Sequence, residues 1–305
     1  YSTSYLLDRK QSMNGCAKNR FENYKEQPLE IVFAPSFKGK LSQFGLNPDR
    51  RTPSGIKAAI IREKGTNGER EMAYMLYLAG FDVKDVTMTD LVSGRETLED
   101  INMIVFCGGF SNSDVLGSAK GWAGTFLFNP KAKTALDNFY ARKDTLSLGV
   151  CNGCQLMMEL GLITPEDKKQ GKMLHNDSHK FESAFLGVTV PMNRSVMFGS
   201  LSGSKLGIWV AHGEGKFSLP YPEDHYNVVL KYSYDEYPGN PNGSDYSVAG
   251  IASQDGRHLA MMPHLERACF PWNNAYYPAD RIHEDQITPW MEAFVNARKW
   301  VEVHK

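Results

Sequence analysis

The residues best equipped for chemistry lie in Gly149-Val150-Cys151-Asn152-Gly153-Cys154-Gln155. An apolar run, Leu146–Val150, leads into Cys151, and a helix-forming run, Leu156–Leu160, follows. A strand that turns sharply into a helix exposes its turn residue at the carboxyl edge of the sheet, where open α/β folds bind ligands. Gly149 and Gly153 keep such a turn free of Cβ atoms. The helix N-terminus favours the thiolate form of a cysteine placed there, and the backbone N–H of Asn152 would point into the same space. A buried structural cysteine is the plain alternative. A redox Cys151-x-x-Cys154 pair is another, with Cys154 one turn into the helix and suited to packing. A zinc site of Cys151, Cys154, His175 and His179 is a third, although the two pairs stand farther apart than in a zinc finger.

A cysteine nucleophile needs a histidine to take and return its proton, and that histidine needs an orienting group. Among eight histidines, His264 in Met261-Met262-Pro263-His264-Leu265-Glu266-Arg267 has such a setting. Leu259–Met262 reads as a strand and Pro263 ends it. Residues two apart in extended chain share a side, so His264 and Glu266 face one pocket and Leu265 faces away. His212, in Ala211-His212-Gly213-Glu214-Gly215, is the rival base, but its glycine neighbours suit backbone approach to a ligand. His225, His258, His283 and His304 read as solvated. Attack on an amide creates an oxyanion that needs preorganised N–H donors. The loop Cys107-Gly108-Gly109-Phe110-Ser111 can bring backbone N–H groups close. It lacks the glycine spacing of a nucleotide loop.

These residues need a sheet to hold them. Ala58–Ile61, Phe81–Val86, Asn102–Phe106 and Leu146–Val150 are short apolar runs. Between them, Glu69–Leu78 has helical spacing with Gly80 as a stop, and Leu136–Tyr140 lies in a second helical stretch. Strands alternating with helices predict parallel βαβ units covered on both faces. After Gly161 the predicted strands are Phe185–Val190, Gly207–His212, Val228–Tyr232 and Val248–Ala252. Asp255-Gly256 marks a hairpin between Ile251 and Leu259, so this part of the sheet is mixed or antiparallel. Trp290–Trp300 closes as an amphipathic helix. Residues 1–55 differ: Tyr5–Asp8 suits a helix end, Leu29–Phe33 a short strand, and Pro28, Pro35, Pro48 and Pro53 mark a connector.

The chain has 305 residues, 42% of them apolar and 23% charged, with a net charge of −1. That is the make-up of a soluble globular protein, with length for one large domain with an appendage or for two domains. No basic stripe suggests a nucleic-acid partner and no apolar run is long enough for a membrane span. Five cysteines at irregular spacing fit a reducing, cytoplasmic setting better than a disulfide framework. Cys107 reads as core.

Taken together, GVCNGCQ, CGGFSNSDVLGSAKGWA, AHGEGKF, PNGSDYSVAGI and MMPHLER resemble the glutaminase domain of the phosphoribosylformylglycinamidine synthase family, which is a class I glutamine amidotransferase. REKGTNGEREMAYMLYLAGFDV is similar to that domain's first strand and helix, and the likeness runs on to the C-terminal NARKW. The pairing of G-x-C-x-G with P-H-x-E is general to class I amidotransferases; GGFSNSDVLGSAKGWA and PNGS are narrower. The resemblance implies an open, mostly parallel, flavodoxin-like sheet with helices on both faces and added antiparallel strands. It implies Cys151 as a nucleophile forming a γ-glutamyl thioester, His264 as base and acid, and Glu266 as its orienter. It further implies Gly109 and Asn152 as oxyanion donors, with Gly108 and Phe110 in the same loop, and Gln155, His212 and Gly213 as glutamine contacts. Residues 1–55 would be the linker and tail of a preceding synthetase domain, and residues 56–305 the glutaminase. The partners implied are glutamine and a synthetase part of the same polypeptide, where ATP and Mg2+ would bind; no cofactor or metal is implied here. A stand-alone cysteine hydrolase, such as a γ-glutamyl hydrolase or peptidase, and a non-catalytic glutamine-binding module are the alternatives. The family pattern has Pro where Leu265 stands and Arg where Ala184 stands, and ACFPWNNAYYP after Arg267 also departs from it.

Overall fold

The computed structural model describes residues 15–23 and 29–305; the expected helix end at Tyr5–Asp8 lies outside them. The first half of the body is built from β1 (Lys57–Arg62), α2 (Glu69–Leu78), β2 (Asp82–Thr87), α3 (Met88–Ser93) and β3 (Met103–Phe106). Helices α4 (Lys120–Phe128) and α5 (Pro130–Ala141) follow, then β4 (Leu146–Val150) and α6 (Asn152–Glu159). A short helix, α1 (Cys16–Asn23), precedes them. Ala58, Ala59, Ile60 and Ile61 are all buried, as a strand covered on both faces demands. Asn129 accepts from the N–H of Ala132 at 3.0 Å and Pro130 occupies the first turn, which separates α4 from α5.

The second half contributes β5 (Lys172–Leu174), β6 (Glu182–Thr189), β7 (Lys205–His212), β8 (Lys216–Ser218), β9 (Asn227–Tyr232), β10 (Val248–Ala252), β11 (His258–Met261) and the closing helix α7 (Trp290–His304). Nine strands form one sheet in the order β2-β1-β3-β4-β11-β10-β9-β6-β7, while β5 and β8 pair separately. From β2 to β11 neighbouring strands run parallel; from β11 to β7 they run antiparallel. The chain steps outward from β1 to β2 and then back across to β3. Right-handed crossovers therefore put α2 on one face and the helices of the next two crossovers on the other. The Asp255-Gly256 signal is met by the β10–β11 hairpin, with Ile251 opposite Ala260 and Gly256 at φ 78°.

Leu29–Phe33 does not form the expected strand. Only Val32 pairs, exchanging backbone hydrogen bonds of 2.7 and 2.9 Å with Lys205 at the sheet edge. Side chains hold the rest of this strap. Arg281 lies over the rings of Phe33 and Phe37, and Arg50 donates to Asp82 at 3.0 Å.

Candidate active site

Strand β4 delivers Cys151 to the carboxyl edge of the parallel strands. Its backbone adopts φ 53°, ψ −107°, a conformation that costs a non-glycine residue on the order of 1–3 kcal/mol and is held only by its surroundings. The adjacent glycines are sterically required. A Cβ on Gly149 would lie 2.5 Å from the Gly153 carbonyl oxygen, and one on Gly153 would lie 2.0 Å from that of Phe106. Helix α6 thus packs backbone to backbone on the sheet beneath Cys151.

Parallel pairing brings the second chemical segment alongside. Val150 is opposite Met261, and the N–H of Cys151 donates to the Met261 carbonyl at 2.9 Å. Beyond Pro263, the N–H of His264 donates to the carbonyl of Trp209 on β7 at 2.9 Å, which pins the histidine between two strands. Leu265–Arg267 then turns as a short 3-10 helix and is not extended. The turn still sets His264 Nδ1 at 2.6 Å from Glu266 Oε1, both side chains being 2% exposed, and Leu265 is buried in the core. With Nδ1 engaged by the carboxylate, Nε2 is the nitrogen left for the thiol. Burial alone would push the imidazolium down. The Glu266 carboxylate first, and the nearby Cys151 sulfur second, reverse this and hold His264 up at about 10.

Cys151, Gly109, Phe110 and His264 face a cleft of about 340 Å³, closed by Asn67, Glu71, Phe181, Ala211 and Arg267. The Cys151 sulfur also lies 3.6 Å from the Ala211 carbonyl. A wider depression of about 620 Å³ near Met192, Arg194 and Asp224 holds no nucleophile. Thr66 and Gly109 oppose each other between two ladder bonds, Asn67 N–H to Gly108 O and Phe110 N–H to Gly65 O, each 2.9 Å. In such a pair the central N–H points out of the ribbon, so the donor of Gly109, at φ 118°, is left for the cleft. Asn152 begins α6, where a backbone N–H has no intrahelical acceptor. Its side chain accepts from the N–H of Ser111 at 3.0 Å and binds the glycine loop to the elbow.

Other expected site residues take different places. The N–H of Phe110 is consumed by Gly65, so Phe110 contributes its ring and not an oxyanion donor. Gly108 is a spacer: a Cβ there would lie 2.8 Å from His264 Cε1. Gln155 is buried; its amide donates to the Glu214 carbonyl at 2.7 Å and accepts from the Asn152 side chain at 2.9 Å, tying the 212–216 loop to α6. His212 and Gly213 do not line the cleft, which Ala211 reaches instead. His212 is buried and held down at about 3, first by burial and then by the charge of His264, so it is a poor proton acceptor. His258, expected in solvent, is buried: Nδ1 lies 2.9 Å from Ser147 Oγ and the ring rests on Tyr140. The cysteine alternatives lose their geometry. Cys154 is sealed under the sheet with its thiol pushed well above the ordinary value by burial, and His175 projects into solvent. Among the described residues no cluster of three His, Cys, Asp or Glu could hold a metal ion.

Sequence reasoning missed the cleft walls Phe181, Ala211, Asn67 and Arg267. Arg267 directly follows Glu266, which was a usable signal. Ala211 is paired into place with Ser183 of the distant β6, and Phe181 immediately precedes that strand, so long-range pairing places both.

Residues 55–301 match the family model described as the CobB/CobQ-like glutamine amidotransferase domain. Two relatives named phosphoribosylformylglycinamidine synthase match 98% of the chain: one from Homo sapiens at 40% identity and one from Drosophila melanogaster at 39%. An Arabidopsis thaliana relative at 41%, also over 98% of the chain, is named "Probable phosphoribosylformylglycinamidine synthase, chloroplastic/mitochondrial". The chain spans only 22–24% of the length of these relatives. A solved structure, PurLQS from Thermotoga maritima, is 25% identical with a TM-score of 0.59, covering 81% of this chain and 98% of that one. A putative GMP synthase component from Thermoplasma acidophilum, at 16% identity and TM-score 0.53 over 81% of this chain and 94% of that one, shares the fold.

Proposed function

The chain belongs to the CobB/CobQ-like glutamine amidotransferase domain family, and from that premise we propose that it hydrolyses glutamine to glutamate and ammonia through Cys151, His264 and Glu266. The observation that carries this reading is the buried 2.6 Å His264–Glu266 contact at a cleft that also holds the elbow cysteine. The Cys151 thiol passes its proton to His264 Nε2 and the sulfur attacks the side-chain amide carbon of glutamine. The N–H groups of Gly109 and Asn152 receive the oxyanion. As the C–N bond breaks, His264 gives its proton to the departing nitrogen and ammonia leaves a γ-glutamyl thioester on Cys151. Water then attacks the thioester, His264 takes the proton, and glutamate leaves with the sulfur restored. Glu266 holds the imidazole tautomer throughout and stabilises its charged form.

The relatives' name supports a larger activity around this step. In our reading the ammonia feeds the ATP-dependent conversion of formylglycinamide ribonucleotide to its amidine in purine biosynthesis, in a synthetase part of the same polypeptide where ATP and Mg2+ bind. No helix among the described residues is long and apolar enough to cross a membrane. Separately, we propose a cytoplasmic setting, which five cysteines at irregular spacing suit. The test is Cys151→Ala in the full-length polypeptide: glutamine-dependent synthesis is abolished while synthesis from added ammonia persists. Loss of both would refute the division of labour. Rapid glutamine turnover by this chain without any partner would favour a stand-alone hydrolase.

A further inference from the structure

Helix α1, Cys16–Asn23, lies upstream of the family-matched region, yet its side chains reach the strand pair that walls the cleft. Cys16 packs on Tyr237, and Asn23 donates to the Glu236 side chain and the Tyr237 carbonyl, both at 3.0 Å. The Arg20 guanidinium lies over the Tyr237 ring and donates to Glu182 Oε2 at 2.9 Å. Glu182 is 4% exposed. Its other partners are neutral, Ser178 Oγ at 2.6 Å and the Tyr237 hydroxyl at 3.0 Å, and among the described residues Arg20 is the cation with which it pairs.

Glu182 stands next to Phe181, a cleft wall, and opposite His212 in the β6–β7 register. Ala211, which precedes His212, also walls the cleft and places its carbonyl 3.6 Å from the Cys151 sulfur. Asn176 ties the same corner by donating to the His212 carbonyl at 2.8 Å and accepting from Gly215 N–H at 3.0 Å. A buried carboxylate that loses its cation is left uncompensated and is driven toward water. Glu182 adjoins Phe181 in the chain and its ladder partner His212 adjoins Ala211, so a displaced Glu182 would bear on both cleft walls.

We propose that Arg20 is a positioning residue: through Glu182 it latches the upstream segment onto the β6–β7 corner and fixes the cleft wall against Cys151. The inference rests on the amidotransferase reading. It makes the site's shape depend on a segment outside the matched region, so upstream parts of the polypeptide can set nucleophile reactivity without touching substrate.

The test follows Cys151 alkylation by an electrophilic diazo-ketone analogue of glutamine in the whole protein, resolving the saturating rate from the half-saturating concentration. Arg20→Met should lower the saturating rate on the order of tenfold, the scale of a small misplacement of reacting groups. Arg20→Lys should restore most of it. Arg20→Met combined with Glu182→Gln should recover part of the loss, because the uncompensated charge is gone. A merely structural contact would lower the melting temperature and leave the rate unchanged below it. Wild-type labelling with an unslowed Arg20→Met, or a double variant no faster than the single one, overturns the latch. No labelling of wild type at Cys151 overturns the amidotransferase reading and the latch with it.

Discussion

Glu266→Gln removes one charge and almost no volume from the centre of the site. Glutamine can still turn its carbonyl oxygen toward His264 Nδ1 and keep the 2.6 Å geometry, with its amide nitrogen replacing Oε2, which has no partner among the described residues. What is lost is the charged character of the bond. Hydrogen bonds to charged groups contribute about 1.5–3 kcal/mol and neutral ones about 0.5–1.5 kcal/mol, a difference of roughly 1.5 kcal/mol. At about 1.4 kcal/mol per decade this predicts about a tenfold slower thioester step, milder than the loss in His264→Ala. The sign of the pH effect follows from the same residues. In wild type the Glu266 carboxylate overrides burial and keeps His264 protonated up to about 10. In the variant burial is opposed by the Cys151 sulfur without the Glu266 charge, so the acid proposed to serve the leaving nitrogen is lost at lower pH. Single-turnover glutamine hydrolysis against pH should show the basic limb shifted downward. A basic limb identical to wild type would refute the electrostatic role of Glu266. A loss equal to that of His264→Ala would show that Glu266 does more than hold and charge the ring.

Gly153→Ala sets a helix-propensity gain of about 1 kcal/mol against a backbone clash. The new Cβ would meet the Phe106 carbonyl oxygen at 2.0 Å, where no rotamer change brings relief, so α6 must back away from β3. Overpacking of this kind costs about 1–3 kcal/mol, and denaturant melts should show net destabilisation together with slowed hydrolysis; a neutral or stabilised variant would mean that the elbow is looser than described. Folding stability should fall on both sides of about pH 6.5, the ordinary imidazole value. His212, at about 3, and His258, at about 4, resist protonation in the fold, so stability declines as pH drops from about 6.5 toward those values. His264 is raised, so its contribution is complete below about 6.5 and is lost as pH climbs toward about 10. Urea melts of His258→Gln should show a flatter acid limb, and an unchanged limb would mean that this ring does not titrate on unfolding.

Much of this could be read from local pattern. Leu146–Val150 and Ala58–Ile61 are short and mostly apolar because both sheet faces are covered, and the glycines around Cys151 answer to backbone contacts that any side chain would violate. The His264–Glu266 pairing follows from the sequence by the wrong route. Extended alternation predicts it, whereas the chain achieves it with a 3-10 turn after a pinned His264. What escaped is set by pairing between distant segments. Val32 alone is bonded because the strap meets only the sheet edge, and its apolar residues serve side-chain packing. His258 looks like a polar residue beyond a turn, but the parallel partner β4 supplies Ser147 and buries it. His212 and Ala211 are adjacent on β7 and face opposite sides, so only the register against β6 decides which one meets the cleft.

In the proposed mechanism Cys151 carries the glutamyl group between two halves of a hydrolysis. Acid quenching of the whole protein during glutamine turnover, followed by peptide mass analysis, observes that group directly. A γ-glutamyl thioester is expected on the peptide bearing Cys151 and none on that peptide in Cys151→Ser. Turnover with no adduct at Cys151, or with the adduct on Cys154, would contradict it.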